Sequence, residues 1–310
     1  MNFRKWGCGV LLLLLLALAA CKQQGSPFLL DSRQYHRDVE QWRSQRIARL
    51  RAPDGWLSYI GSGRLKEGSY HVGSAPTNDV VLPAGPEQLG TLDIGADGVA
   101  VINGRAGTGA TLNGTPLRQA TLQPVTEGVR EASRLQLGSG EFYLVRNGTM
   151  LGWRYRDASS ARRRDFRGID YFPVETHWRV EAQWHPFPQA RQAVLLTSIG
   201  TPLPATMPGE AVFEIEGRSY RLQPVLDEDA PASRRFFFVF SDRTSGRETY
   251  GGARYLYAAA PQDGKLVLDF NRAQNPPCAL TPHVVCPIAP AINRLELAVT
   301  AGEKYQALVQ

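Results

Sequence analysis

Hydrophobic positions near the N-terminus recur at three- to five-residue steps. They are Tyr35, Val39, Trp42, Ile47 and Leu50. This spacing places them on one face of a helix, which Asp31 or Ser32 can cap. The pattern predicts an amphipathic helix over 31–52, with its Arg and Glu residues on a solvated face.

After Gly55 the pattern changes to short runs rich in Val, Leu, Thr and Tyr, separated by Gly, Asn, Asp and Pro. Such runs predict closely spaced antiparallel strands. Asn113-Gly114 predicts a tight hairpin, because both residues tolerate positive φ, and "FEIEGRSYRL" at 213–222 predicts another. The fold class is therefore mainly β, with a helix followed by two antiparallel, sandwich- or barrel-like units.

The boundaries of these units follow from the turn and charge signals. The first β unit spans 54–150, a linker spans 151–170, and the second β unit spans 171–310. The linker carries three consecutive arginines, 162–164. They either contact a phosphate or lipid headgroup or form a solvated loop, and the second interpretation is the more common for charged loops.

The first twenty residues have the character of an export leader. Arg4 and Lys5 precede an almost wholly apolar run that ends in Leu18-Ala19-Ala20-Cys21. The run is too short for a comfortable membrane span, and its pattern is that of a signal peptide over 1–20. The tetrapeptide resembles the lipobox of bacterial lipoproteins, which implies lipidation of Cys21. Residues 21–30 then form a tether.

This leader implies an exported protein anchored to the cell envelope by lipid. If the source has two membranes, Lys22 suggests the outer one, with the body facing the periplasm. Removal of Arg4 and Lys5 with the leader lowers the formal net charge from +6 to +4. A charge this small indicates no nucleic-acid partner, and a hydrophobic content of 43% argues against disorder.

The first β unit is similar to a known sandwich in the order of "GSYHVGSAPTNDVVLP", "LNGTPL" and "LQLGSGEFYLV". This order resembles a forkhead-associated domain, which binds phosphothreonine through an Arg after its first Gly and a Ser-Arg-x-x-His stretch. Here Ser74 follows Gly73, and "LGTLDI" stands in place of the second motif. The resemblance implies the fold but not phosphopeptide binding.

Polar residues in the second unit are unusually dense beside apolar strands. Eleven of them, called here the polar set, are candidates for a binding site: Thr244, Glu248, Tyr250, Arg254, Asp269, Asn271, Asn275, Cys278, Asn293, Arg294 and Glu303. On one strand Asp269 and Asn271 point to the same face, so they either line a pocket for a sugar or small polar ligand or satisfy turns. Arg254 and Glu248 form either a buried ion pair or an oriented anion site.

Two cysteines remain after the leader and Cys21 are set aside. Cys278 and Cys286 lie in the proline-framed stretch "NPPCALTPHVVCP". Export favours a disulfide between them, while buried thiols and a reactive or metal-bound pair remain open. His283 is the only nearby imidazole, so we predict no metal site.

The motifs "TSGRETYGGARYL", "LDFNRAQNPPCA" and "NRL…AGEK" carry a second resemblance. They resemble a bacterial and archaeal family of domains of unknown function, number 1684 in that series, from "WRSQRIARLRAPDG" to the end of the chain. The resemblance implies a family and no activity. This chain has Leu280 where the family usually has an aromatic residue.

Catalytic and cofactor motifs are missing from the sequence, so no cofactor is predicted. The first hypothesis is an envelope lipoprotein that binds a small polar ligand or envelope component through a polar pocket in the second unit. The alternative is a hydrolase that uses Asp269 and Glu248 as acid and base, or Cys278 as nucleophile. A second alternative is a structural or assembly lipoprotein. The membrane, through Cys21, is the expected partner.

Overall fold

A computed structural model describes residues 31–126, 132–226 and 235–306 of the chain. The predicted leader, the tether and Cys21 lie outside the described residues. Within these ranges the chain is mainly β, which confirms the predicted fold class. None of the helices in the described part is long and apolar enough to cross a membrane.

The N-terminal helix α1 (Ser32–Leu50) is capped by Asp31, whose carboxylate accepts the Gln34 backbone N–H at 3.0 Å. Such a side chain satisfies one of the N–H groups that the first helical turn leaves without a partner. The helix buries Tyr35, Val39 and Leu50 of the predicted apolar face, leaves Trp42 and Ile47 half-buried, and also buries Arg46. Arg46 departs from the predicted solvated face because it meets a carboxylate in the second unit, described below.

The first unit is a sandwich of two sheets. Its strands are β1 (Tyr59–Leu65), β2 (Gly68–Gly73), β3 (Val80–Val81), β4 (Gly90–Ile94), β5 (Ala100–Gly104), β6 (Thr111–Leu112), β7 (Thr115–Pro116), β8 (Gln119–Thr121), β9 (Arg134–Leu137), β10 (Gly140–Asn147) and β11 (Met150–Asp157). One sheet has the order β1-β11-β10-β9-β6-β7, and the other has the order β3-β2-β4-β5-β8. Leu92 and Ile102 of one sheet pack with Phe142 and Trp153 of the other in a shared core.

Two local features of this unit bear on the sequence predictions. The predicted hairpin at Asn113-Gly114 joins β6 to β7, with φ of 50° and 82° at the two residues. Residues 151–157, assigned to the linker, instead belong to strand β11, which pairs with both β1 and β10. Residues 151–153, 155 and 157 are buried and residues 154 and 156 are half-buried, and "LGWRYRD" fills the gap between two strands of the sheet. The short helix α2 (Ala161–Arg164) follows.

The second unit contains a four-stranded and a three-stranded sheet around another core. Its strands are β12 (Arg179–Leu196), β13 (Pro202–Ile215), β14 (Arg218–Leu222), β15 (Val225–Leu226), β16 (Phe236–Phe240), β17 (Arg254–Ala258) and β18 (Lys265–Asp269). The sheet orders are β14-β13-β12-β18 and β15-β16-β17. Phe213, Phe238, Leu256 and Leu268 belong to the core of this unit. After β18 the chain continues to residue 306 without a further strand.

A third apolar cluster joins the two units. Tyr59 and Tyr143 of the first unit lie in it with Tyr255, Val284 and Cys286 of the second. The Tyr143 hydroxyl donates a hydrogen bond of 3.0 Å to the Tyr59 hydroxyl within this cluster. The segment between the two cysteines is therefore part of the contact between the units.

Candidate functional site

The structure distributes the polar set over several hydrogen-bonded groups instead of one pocket. Six of its members are almost fully buried: Thr244, Arg254, Asn271, Asn275, Asn293 and Glu303. Each of the six contacts polar groups of this chain. These partners decide what the polar set can do.

The first group clamps α1 to the end of β18. The Tyr35 hydroxyl donates to Oδ1 of Asp269 at 2.7 Å, and Nδ2 of Asn271 donates to the Tyr35 oxygen at 2.8 Å. Nδ2 of Asn271 also donates to the Glu175 carbonyl at 2.8 Å, and Oδ1 accepts the Glu175 N–H at 3.2 Å. Asp269 and Asn271 were predicted to share one face of a strand, but β18 ends at Asp269 and Asn271 lies in a 3-10 turn, Phe270–Arg272. They meet instead around a tyrosine of the helix.

The electrostatics of this clamp follow from its burial. Burial raises the pKa of the Asp269 carboxyl, against the opposing effects of the Tyr35 hydrogen bond and of Arg272. Burial and the neighbouring carboxylate together raise the pKa of Tyr35. Tyr35 therefore remains a protonated donor. The Asp269 oxygens face Tyr35 and the Arg272 guanidinium, whose Nε lies 3.2 Å from Oδ2.

The second group holds the middle of α1 against the C-terminal segment. Nε of Arg46 donates to Oε1 of Glu303 at 2.9 Å, and Nη2 donates to the Asn275 carbonyl at 3.0 Å. Oε2 of Glu303 accepts the Asn275 N–H at 2.6 Å. Nδ2 of Asn275 donates to the Lys304 carbonyl at 2.9 Å. Three separate segments are thus fixed by one buried ion pair.

The third group surrounds Arg254, of which only 1% is exposed. Its Nη1 donates to Oδ2 of Asp242 and to the Val299 carbonyl, both at 2.8 Å, and its Nη2 donates to the Ala301 carbonyl. Burial lowers the pKa of the guanidinium, and Asp242 opposes that shift. The partner of Arg254 is therefore Asp242 and not Glu248, because Glu248 is exposed in the loop after β16.

The same carboxylate organises the loop that holds Thr244. Oδ1 of Asp242 accepts the Thr244 N–H at 2.7 Å. The hydroxyls of Thr244 and Thr249 lie 2.8 Å apart, and the Thr244 carbonyl accepts backbone N–H groups of the same loop. The loop is closed on itself, so its polar groups face each other.

The remaining members are a buried amide and three more accessible side chains. Asn293 accepts the Gln223 N–H at Oδ1, and its Nδ2 donates to the Gln223 carbonyl, both at 2.8 Å. Arg294 is exposed, as is Glu248, and the half-buried Tyr250 packs edge-on against the Tyr305 ring. No contact among the described residues joins these three into one site.

Cys278 and Cys286 form a disulfide with an S–S distance of 2.10 Å and a Cα–Cα distance of 6.1 Å. Oxidised sulfur is neither a thiolate nucleophile nor a metal ligand. Within the described ranges no group of three or more His, Cys, Asp or Glu side chains is placed to hold a metal ion. Of the three interpretations of these cysteines, the structure contains the disulfide.

Two surface cavities lie on the first unit, away from the polar set. One, of about 420 Å³, is lined by residues such as Asn103 and Arg118. The other, of about 360 Å³, is lined by residues such as Asp97 and Arg146. Neither cavity is lined by a member of the polar set.

Comparison with known proteins adds the family. Residues 164–304 match the profile of the family described as "Protein of unknown function (DUF1684)". An uncharacterized protein of Haloarcula marismortui, solved by NMR in solution, is 33% identical over 48% of this chain and 82% of its own, with a TM-score of 0.39. This chain belongs to the DUF1684 family. The DUF1684 match begins at the end of α2, so it covers the second unit, a shorter range than the sequence motifs imply.

Other comparisons add little to this DUF1684 assignment. A crystal structure of Rad53 residues 1–466 in complex with AMP-PNP overlaps 72% of this chain and 50% of its own, at 10% identity and a TM-score of 0.18. No curated protein matches the chain in sequence.

Sequence reasoning missed the partners that define the groups. Tyr35 is on the predicted helix face but gives no sign of its polar role, and Arg46 was assigned to solvent. Asp242 lies close to Arg254 in the sequence, and its place at the end of the Phe-rich strand β16 is the one signal that could have identified it as the counter-ion. The sequence could not identify Gln223 as a partner of Asn293, because the contact uses the backbone of Gln223 and not its side chain.

Proposed function

We propose that this DUF1684 protein is an envelope lipoprotein that acts by binding and assembly, without chemistry in its second unit. The observation that carries the proposal is the internal pairing of the six buried members of the polar set. A ligand in their place would have to break buried hydrogen bonds, which leaves unsatisfied groups at a cost of about 1–3 kcal/mol each. The set therefore supports the fold, and binding is assigned to the surface.

The hydrolase alternative lacks the contacts it needs. Asp269 is engaged by Tyr35, and no contact among the described residues joins it to Glu248. General acid–base catalysis requires the two groups to flank one substrate. Cys278 is in a disulfide, so it has no thiolate that could act as the nucleophile.

The anchor in this proposal is the lipid on Cys21. An apolar leader that ends in a lipobox supports export and acylation, and two or more acyl chains hold a protein firmly on a bilayer. We place the body in the periplasm, on the outer membrane of a source with two membranes. Replacement of Cys21 by Ser should abolish incorporation of radiolabelled palmitate; unchanged labelling would overturn the anchor.

The forkhead-associated likeness of residues 54–150 stays a prediction. Ser74, where such domains carry an Arg, donates its hydroxyl to the Gly85 carbonyl at 2.9 Å. This is an internal turn contact and supports a scaffold role for the first unit.

The binding surface we propose is the outer face of the β12–β13 hairpin. Val194 is 63% exposed and Leu196 is 53% exposed, and Pro204 and Pro202 lie opposite them in the register. Ile199, at the turn, is 40% exposed. The inner face of the same hairpin packs into the cluster between the units through residues such as Leu195. Several exposed apolar side chains on one face indicate an interaction site.

The occupant we propose is an extended strand of another envelope polypeptide. Residues 202 and 204 are prolines without an N–H, so β13 donates no backbone hydrogen bond to β12 at these positions. The backbone N–H and C=O groups of Val194 and Leu196 therefore point to the opposite edge of β12. At that edge, the Ile288 N–H donates a hydrogen bond of 2.8 Å to the Leu196 carbonyl. β18 pairs with β12 only over 179–183. Between these contacts, no described strand covers the edge of β12 at Val194, which a partner strand can join.

A complementation experiment separates the hairpin from the polar set. The full chain and its variants are expressed in a strain that lacks the gene, and restoration of envelope integrity, measured as resistance to detergent, is compared with wild type. Val194→Lys, which blocks strand addition with a charge, should melt like wild type but fail to restore. The double variant Arg254→Met/Asp242→Leu, once shown to be folded, should still restore. The reverse pattern would assign function to the polar set and refute the assembly role.

A further inference from the structure

Four side chains meet where the first unit contacts the disulfide loop. This junction cluster consists of Ser62 on β1, Arg154 on β11, Arg162 on α2 and His283 between the two cysteines. None of the four belongs to the polar set or to the hairpin surface. The inference drawn from them goes beyond the proposed function and does not rest on it.

Direct contacts define the cluster. Ser62 and Arg154 are opposite each other in the register of β1 and β11. The Ser62 hydroxyl lies 3.1 Å from Nδ1 of His283, and Nη1 of Arg154 donates to the His283 carbonyl. Arg162 donates from Nη1 to the Leu280 carbonyl at 3.1 Å, in the same loop.

The charges of the cluster are not balanced by any acid in the described ranges. Glu141 forms ion pairs with Arg134 at 2.7 Å and with Arg156 at 2.9 Å, on the same sheet. Arg154, two residues before Arg156 on β11, bonds only to a backbone carbonyl, as does Arg162. Nε of Arg162 is buried and has no hydrogen-bond partner among the described residues. Both guanidinium groups are half-buried, and cations that are partly removed from water without a carboxylate are stabilised by an anion that joins them.

The electrostatics of the imidazole agree with this geometry. Burial lowers the pKa of His283, and the positive charges of Arg162 and Arg154 lower it further. Burial also lowers the pKa of Arg154. Both groups are thus partly removed from water, and His283 in addition lies close to two positive charges.

We propose that the junction cluster binds a phosphate group. Two guanidinium groups supply the planar donors that match phosphate oxygens. The Ser62 hydroxyl and the neutral imidazole hydrogen-bond each other and together leave one further donor beside them. Ser62 is exposed, so the site opens to solvent. The phosphate belongs either to a free phosphate or to the headgroup of a phospholipid. Because the cluster spans both units, an anion bound there also links them.

The test uses the five histidines of the chain as reporters. The full chain, labelled with ¹³C at histidine Cε1 and held in a nonionic detergent, is titrated with inorganic phosphate at constant ionic strength. The His283 signal, assigned from its loss in His283→Gln, should shift with saturation. The other four signals should not saturate. Glycerophosphoglycerol, the deacylated headgroup of phosphatidylglycerol, is titrated in parallel, and the tighter of the two ligands identifies the source of the phosphate.

Variants make the result specific. Arg154→Gln should weaken phosphate binding about tenfold, since a hydrogen bond to a charged group is lost. Ser62→Ala, at an exposed position, tests the site without a risk to folding and should also weaken binding. Arg218→Gln, an exposed arginine on β14, is the matched control and should bind like wild type. Linear shifts of all five signals, or saturation unaffected by both Arg154→Gln and Ser62→Ala, would overturn the proposal.

Discussion

Replacement of Arg254 by Met should destabilise the protein more than any change of a surface arginine. The guanidinium is buried and makes three hydrogen bonds, to Asp242, Val299 and Ala301. Met keeps much of the volume but leaves the Asp242 carboxylate buried without its counter-ion. Loss of one partner of a buried ion pair lowers the free energy of unfolding by about 3–5 kcal/mol. For a chain of this size the melting temperature should fall by roughly 6 to 20 °C.

The chain offers a matched control eleven residues earlier. Arg243 pairs with Glu296 at 3.0 Å, but their side chains are 63% and 82% exposed. An exposed pair contributes at most about 1 kcal/mol, so Arg243→Met should melt close to wild type. Both variants are compared by thermal denaturation followed by circular dichroism, with urea midpoints as a second measure.

A double variant isolates the pair. Addition of Asp242→Leu to Arg254→Met removes the unpaired carboxylate and should recover part of the lost stability, a non-additive result expected of residues in one network. If Arg254→Met loses no more stability than Arg243→Met, the group around Arg254 is not a brace and the reasoning fails.

Three further predictions concern the disulfide and the helix clamp. Serine at both Cys278 and Cys286 should lower the free energy of unfolding by about 2.5 kcal/mol, from the loop of about nine residues, and should make melting insensitive to reductant; a reductant effect that persists would contradict it. Tyr35→Phe removes the donor to Asp269 and should cost about 1–3 kcal/mol, with α1 the first element to become sensitive to protease; wild-type proteolysis would oppose the clamp. The pKa of the Asp269 carboxyl is raised in the folded state, so the folded chain binds this proton more tightly than the unfolded chain does. The free energy of unfolding should therefore fall as pH rises from the unfolded pKa of this group through its folded pKa. Asp269→Asn should flatten that part of the pH–stability curve, and an unchanged slope would show that Asp269 is not the source of the pH dependence.

The sequence was sufficient for the features that depend on local pattern. The helix period, the strand runs and the Asn113-Gly114 hairpin follow from neighbours along the chain, and each is present. The disulfide was one of three states that the sequence left open for Cys278 and Cys286, and it is the one that the structure contains. These features need no knowledge of how distant segments pack.

The partners of the polar set could not be predicted, because they are distant from it in the sequence. Arg46 meets Glu303 across 257 residues, and Tyr35 meets Asp269 across 234. An amphipathic period cannot show that one arginine on a helix faces a buried carboxylate. Residues 151–157 were predicted to be a linker for the same reason. Their partner strand β1 lies at the start of the unit, and the local pattern does not show that pairing.

Amide hydrogen exchange tests the central claim, that the polar set is bound internally, most directly. The N–H groups of Gln223, Thr244 and Asn275 donate to the side chains of Asn293, Asp242 and Glu303 at 2.8, 2.7 and 2.6 Å. Their protection therefore reports on those side chains and not on a strand ladder. We predict that all three exchange only through openings nearly as costly as global unfolding. Exchange as fast as at the exposed turn residue Gly217 would mean that the side chains are free to bind a ligand, and would contradict the account.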